Sequence, residues 1–328
     1  MVPNSVIAGA AAFISVPLLA APKSTPSRIL KLVLHTSIYT TGLAFNSLVG
    51  VVSGLAALVG GDRYRQQISW LVARSFYYTV TPLVGWKFNV IGEEKFEPFT
   101  NPDDSKRQSS IMVSNHQTAL DILFLGRIFP KFTTMMAKQE IKKIPLLGWW
   151  MVLSKAVFIN RKDRKDAITA FNRIGNEIKD RGISVWIFPE GTRCTTPSPS
   201  LLPFKKGAFH LAIQAQIPIL PVLCENYYHL ANYNGDANTG GSRFERGQVQ
   251  IKVLDPIPTT GLTSDDVQTL IDYTYEYMLY HLKLLSSTSC SLGKPLPPPP
   301  SPFNKPLPTK STRTDDEDVV LVEKKPCA

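Results

Sequence analysis

Ile111-Met112-Val113-Ser114-Asn115-His116-Gln117-Thr118-Ala119-Leu120-Asp121 is a short apolar run that empties into polar residues and then enters an apolar helical pattern, Leu120 to Phe129. A run too short for a helix and bounded by turn residues reads as a buried strand. Three further runs repeat the plan. Thr133 to Ala137 ends at Lys138, Val157 to Ile159 at Asn160-Arg161, and Val185 to Phe188 at Pro189-Glu190-Gly191-Thr192-Arg193. Between the last two, Ile168, Phe171, Ile174 and Ile178 recur at helical spacing, with Gly182 as a stop. Strands alternating with helices predict an α/β layer fold from about Trp86 to Leu284, its sheet mostly parallel and flanked by helices. All four polar clusters then share the carboxyl edge of one sheet, where open α/β sheets bind ligands.

The 328 residues are 44% hydrophobic and 19% charged, enough for one large core, which excludes wholesale disorder, collagen and a disulfide scaffold. The formal net charge of +10 points to polyanionic company: nucleic acid, a membrane surface or a phosphorylated substrate. Nucleic acid has the least support, because no recognised motif or aromatic-basic interleave accompanies the charge. Cys194, Cys224, Cys290 and Cys327 lie far apart, without a Cys-x-x-Cys pair or a His at zinc-ligand spacing, so reduced thiols and no metal are expected.

The ends differ from the middle. Leu32 to Gly61 is thirty residues without Asp, Glu, Lys or Arg, about 45 Å as a helix against a hydrocarbon core of roughly 30 Å. Membrane insertion is expected, as a tilted span, a re-entrant hairpin or a greasy helix pair. Ser5 to Ala21 reads as a second anchor, since Met1 to Asn4 carries no positive residue for a signal peptide. Orientation is undecided, with Lys23, Arg28 and Lys31 on one side of the long segment and Arg63, Arg65 and Arg74 on the other. Segment 1–61 is therefore read as anchoring, 62–85 as an amphipathic interface linker, 86–284 as the catalytic domain and 285–328 as a Pro-rich tail, probed by Pro297 to Pro300 and the acidic run Asp315 to Asp318.

Two clusters carry chemistry. His116 and Asp121 are five apart, about 140° around a straight helix, so they meet only if His116 lies in the turn before it. Asp121 would then fix the imidazole tautomer and leave the other nitrogen to take a proton from a hydroxyl. Thr118-x-x-Asp121 equally fits a capping box, in which Asp121 assists the first turn. Arg193 ends the second cluster with a fork donor suited to phosphate, although an isolated Glu-Gly-Thr-Arg is commonly a solvated turn. Lys205-Lys206-Gly207 opens another apolar helix, whose N-terminus offers amide donors to an anion.

These motifs, with Ile144-Pro145-x-x-Gly148-Trp149, Phe158-Ile159-Asn160-Arg161 and Ile217-Pro218-Ile219-Leu220-Pro221-Val222, resemble those of the 1-acyl-sn-glycerol-3-phosphate acyltransferases, the fungal type most of all. The resemblance runs from about Trp86 to Leu284. It implies a catalytic pair, His116 and Asp121, and a substrate site of Asn115, Glu190, Gly191, Thr192 and Arg193, with Lys138 and Arg161 as helpers. It implies transfer of an acyl group from acyl-CoA to lysophosphatidic acid, giving phosphatidic acid, with acyl-CoA as co-substrate and no cofactor. It also implies a membrane setting at the endoplasmic reticulum, with the catalytic domain on the cytosolic side. No Gly-x-Ser-x-Gly elbow is found, which favours direct transfer over an acyl-enzyme. A related acyltransferase using glycerol 3-phosphate or another lysophospholipid, and a non-catalytic protein binding anionic lipid, remain as alternatives.

Overall fold

The computed structural model describes residues 25–160, 171, 174–175, 178, 181–233, 241–287 and 302–303. Ser5 to Ala21, Arg161, Ile168, Cys290, Cys327 and the tail beyond Ser287, other than Pro302 and Phe303, lie outside the described residues.

The long uncharged segment forms one continuous helix, α1 (Thr25–Gly60). Among the described residues it contains the one stretch, Ile29–Gly60, long and apolar enough to cross a membrane. One face of α1 packs inward. Gly42 abuts Val80, and a methyl group at Gly50 would sit 2.7 Å from both Trp150 and Val72. Gly54 is similarly filled against Leu153. Small residues at spacings of eight and four thus let α1 approach α2 (Ile68–Val84) and α4 (Leu147–Leu153) closely. Asn46 lies on the same face, accepting from Ser75 Oγ at 2.5 Å and donating to Thr79 Oγ1 at 2.9 Å. The opposite face leaves Phe45, Leu48, Val52 and Leu55 about half exposed. In α2 the stripe Ile68, Val72, Phe76, Val80 and Val84 is buried, so its apolar residues serve the core as well as any interface, while Tyr78 is exposed.

The four strands expected from the polar-ended runs are present as β2 (Ile111–Ser114), β3 (Thr133–Lys138), β4 (Val157–Ile159) and β5 (Ser184–Ile187). With β1 (Trp86–Ile91), β6 (Ile219–Cys224) and β9 (Gly247–Val253) they build a seven-stranded sheet in the order β1-β9-β6-β2-β5-β3-β4. Strands β2 to β6 are mutually parallel, whereas β9 runs antiparallel to β6 and takes β1 with it. The short pair β7 (Ala231–Asn232) and β8 (Arg243–Phe244) stands apart. The fold is therefore α/β with a mixed, mostly parallel sheet.

Central strands of a parallel sheet must be apolar on both faces, because helices cover both. Ile111 and Val113 point into one core with Phe209, Leu211 and Leu270, contributed by α5 (Gly207–Ala215) and α6 (Val267–Ser287). Met112 and Trp186 point into the other, with Phe76, Leu123 and Phe124 of α2 and α3 (Asp121–Ile128). Each such fully buried side chain is worth about 1.5–3 kcal/mol. Gly126 on α3 has no room for a methyl group, which would meet the Ala73 carbonyl at 2.9 Å, so α3 lies directly on α2.

Candidate active site

The β2–α3 loop is held by two amides. Asn115 pairs with the main chain of Cys224 on neighbouring β6, donating from Nδ2 and accepting at Oδ1, each at 2.9 Å. Gln117 donates to Glu225 O at 2.9 Å and accepts Tyr227 N–H at 3.2 Å. His116 lies between them, in the turn before α3, and Asp121 is the first residue of that helix. This is the arrangement the five-residue spacing requires, and it brings His116 Nδ1 to 2.5 Å from Asp121 Oδ2.

The same Oδ2 accepts Gln117 N–H at 2.7 Å. A capping box would have Asp121 reach the amide of Thr118 and Thr118 Oγ1 accept from Asp121. Instead Thr118 Oγ1 accepts Leu120 N–H at 3.0 Å. The carboxylate thus orders the loop and the imidazole together. The Phe188 ring stacks on His116 with centroids 4.1 Å apart and planes 18° apart, fixing the ring plane. The Asp121 side chain is 2% exposed and that of His116 21%, so the carboxylate is sealed while the imidazole reaches solvent.

After β5 the chain turns through Phe188 to Arg193. Gly191 has φ +72°, a left-handed conformation that glycine adopts without steric cost. Glu190 is buried, and its two oxygens accept His116 N–H and Leu202 N–H, each at 2.8 Å. Burial pushes its carboxyl up to about 7, the two amide donors and the adjacent imidazole opposing that shift while Asp121 adds to it. Cys194 N–H donates to His116 O at 2.8 Å, so both sides of the turn are sewn to the histidine loop.

A cavity of about 710 Å³ opens at this edge. At its mouth stand His116, Gly191, Thr192 and Arg193, with Lys138 at the end of β3 and Lys205 just before α5. Lys138, Arg193 and Lys205 are solvent-exposed, and among the described residues none of them is paired with a carboxylate. The cavity is also lined by Ile122, Leu125, Met135 and Met151, and by Leu43 and Val72 of α1 and α2 and Trp150 of α4. The lining is mostly apolar, with these cations and the imidazole among it. Asn115 and Glu190 do not line it; their side chains are spent on backbone partners. Arg161 lies outside the described residues.

Two tyrosines escape the sequence reading. Tyr227, in the loop after β6, donates to Asp121 Oδ1 at 2.5 Å. Tyr39 on α1 donates to Ala119 O at 2.6 Å. Neither is flagged by a motif, because each joins the site from a distant part of the chain. Among the described residues no group of three or more His, Cys, Asp or Glu is placed to hold a metal ion.

Residues 87–225 match the acyltransferase family model. The chain is 39% identical over 234 residues to an uncharacterised acyltransferase of Schizosaccharomyces pombe, covering 71% of this chain and 78% of that one. It is 35% identical to the 1-acyl-sn-glycerol-3-phosphate acyltransferase of Saccharomyces cerevisiae, covering 81% and 82%, and 34% identical to the human alpha enzyme of that name, covering 74% and 80%. The crystal structure of the 1-acyl-sn-glycerophosphate (LPA) acyltransferase PlsC from Thermotoga maritima superposes with a TM-score of 0.58 at 24% identity, covering 78% of this chain and 97% of that one, and so shares the fold. With relatives of this identity aligned over most of their length, and a paired histidine and aspartate lining a largely apolar cavity that also holds three cations, the chain belongs to the 1-acyl-sn-glycerol-3-phosphate acyltransferase family.

Proposed function

We propose that the chain transfers a fatty acyl group from acyl-CoA to the sn-2 hydroxyl of lysophosphatidic acid, giving phosphatidic acid and free coenzyme A. The observation that carries this reading is that His116, the cations Lys138, Arg193 and Lys205, and a long apolar recess share one cavity. The acceptor is an amphiphile with a phosphate, a hydroxyl and a tail, and the lining offers a partner to each.

The imidazole Nδ1–H is directed to Asp121, which leaves Nε2 as the acceptor. Nε2 takes the hydroxyl proton as the acceptor oxygen attacks the thioester carbonyl carbon. The C–S bond breaks, the imidazolium returns the proton to the departing thiolate, and the site is restored without an acyl-enzyme or added cofactor. Asp121 stabilises the transient imidazolium. Arg193 and the two lysines hold the phosphate, and Thr192 offers a hydroxyl beside them.

The reading takes α1 as a membrane anchor and the cavity as facing lipid, supported by the length and apolar character of Ile29–Gly60. Because acyl-CoA is made in the cytosol, the catalytic face is assigned to the cytosolic side, at the endoplasmic reticulum. The test offers the purified full chain labelled acyl-CoA with lysophosphatidic acid, glycerol 3-phosphate and lysophosphatidylcholine in parallel. Transfer to the first, with coenzyme A released in equal amount, is expected. Preference for another acceptor would reassign the substrate, and lipid binding without coenzyme A release would overturn catalysis.

A further inference from the structure

We infer that Tyr227 is a positioning residue for the acyl transfer, its hydroxyl fixing the Asp121 carboxylate and moderating its hold on the imidazole; this rests on the His116–Asp121 reading above. Asp121 Oδ2 already serves His116 Nδ1 and Gln117 N–H. The other oxygen, Oδ1, accepts the Tyr227 hydroxyl at 2.5 Å. A carboxylate only accepts, so the tyrosine proton points to Asp121 and Thr118 Oγ1, 2.9 Å from the phenol oxygen, donates to it in turn. The donors therefore converge on Asp121: Thr118 donates to Tyr227 and Tyr227 to Oδ1, while His116 Nδ1–H donates to Oδ2.

Tyr227 is 1% exposed, with its ring edge-on to Trp86 at 5.1 Å. Burial, with the Asp121 charge, pushes the phenol well above its ordinary range, so it remains a neutral donor at any assay pH. Clamped at both oxygens, the carboxylate cannot swing from Nδ1. Sharing its charge with a phenol also weakens its grip on the imidazolium, which must give up a proton to the leaving thiolate.

Tyr227→Phe keeps the ring and deletes the donor. Turnover is expected to fall on the order of tenfold, with KM for both substrates within about twofold. The acid limb of the kcat/KM profile is expected to move up by about half a unit, because a less satisfied carboxylate holds the imidazolium more tightly. The other ionisable groups around the pair, Glu190, Cys224, Tyr39, Lys138, Arg193 and Lys205, are unaltered in the variant. Tyr227→3-fluorotyrosine, which retains shape and strengthens the donor, is expected to move the limb down and serves if the Phe variant folds poorly.

In an Asp121→Asn background the Phe substitution is expected to add no further loss. Wild-type turnover by Asp121→Asn alone would remove the catalytic pair itself. An inactive Asp121→Asn beside a fully active Tyr227→Phe would overturn only the role of Tyr227. So would a loss with an unmoved acid limb, or a loss that adds to that of Asp121→Asn.

Discussion

The hydroxyl of Tyr39, on α1, donates a 2.6 Å hydrogen bond to the carbonyl of Ala119, in the turn between His116 and Asp121. The long apolar helix therefore touches the His116–Asp121 loop directly, while the Tyr39 ring packs edge-on against Phe76 of α2, with centroids 5.5 Å apart. Helix α1 and the loop share a hydrogen bond, and α1 also lines the cavity.

Tyr39→Phe preserves the ring contact and removes that bond, at a cost of about 1 kcal/mol. Turnover should drop several-fold while flotation with liposomes is unchanged. Full turnover would mean that Asn115 and Gln117 hold the loop without help from α1.

Arg193→Lys keeps the charge but loses the planar fork that fits a phosphate. The KM for lysophosphatidic acid should rise roughly tenfold, equivalent to about 1.4 kcal/mol, with that for acyl-CoA little changed. A rise for acyl-CoA alone would move Arg193 to the donor.

Glu190 should make stability pH-dependent. Its native carboxyl, raised to about 7, retains its proton where the unfolded one, at its ordinary 4.5, has lost it. Between these values the native state binds more protons, so the contribution is fully present below 4.5 and is lost as pH rises through 7. The change is of order 3 kcal/mol. Denaturant titrations of the purified chain at pH 4.5 and pH 7.5 should show it, and Glu190→Gln should flatten the difference. An equally steep dependence in the variant would assign it to another group.

Much of this was readable in the sequence, and the remainder fails for physical reasons. Strands β2 to β5 are legible because both faces are buried and each run stops abruptly at polar residues. The reversal of β9 against β6 is not legible, since strand direction depends on the path of the connecting segments and both directions accept the same alternating residues. His116 and Asp121 are visible as a pattern because their five-residue spacing is local. Tyr227, 106 residues beyond Asp121, looks like any core aromatic until the fold brings it there. Glu190 stands in a recognisable motif, but a sequence does not tell which way a turn side chain points, and this one turns inward to two amides.

Gly50 sits against Trp150 and Val72, both of which line the cavity. Gly50→Ala should push the indole inward and shorten the recess, at a cost of about 1–3 kcal/mol in stability. Competition between acyl-CoA donors of differing length should show relative loss of the longest. An unaltered preference would place the chain terminus elsewhere.

Helix α1 presents Leu43 and Asn46 to the cavity and Phe45, Leu48 and Val52 outward. A partition one helix thick separates the reaction chamber from whatever surrounds the apolar outer face. On the proposed reading of α1 as a membrane anchor, saturation is governed by the two-dimensional density of acceptor, its mole fraction among neighbouring amphiphiles, and diluting the assay with inert detergent at fixed bulk concentration should slow transfer as effectively as withdrawing substrate.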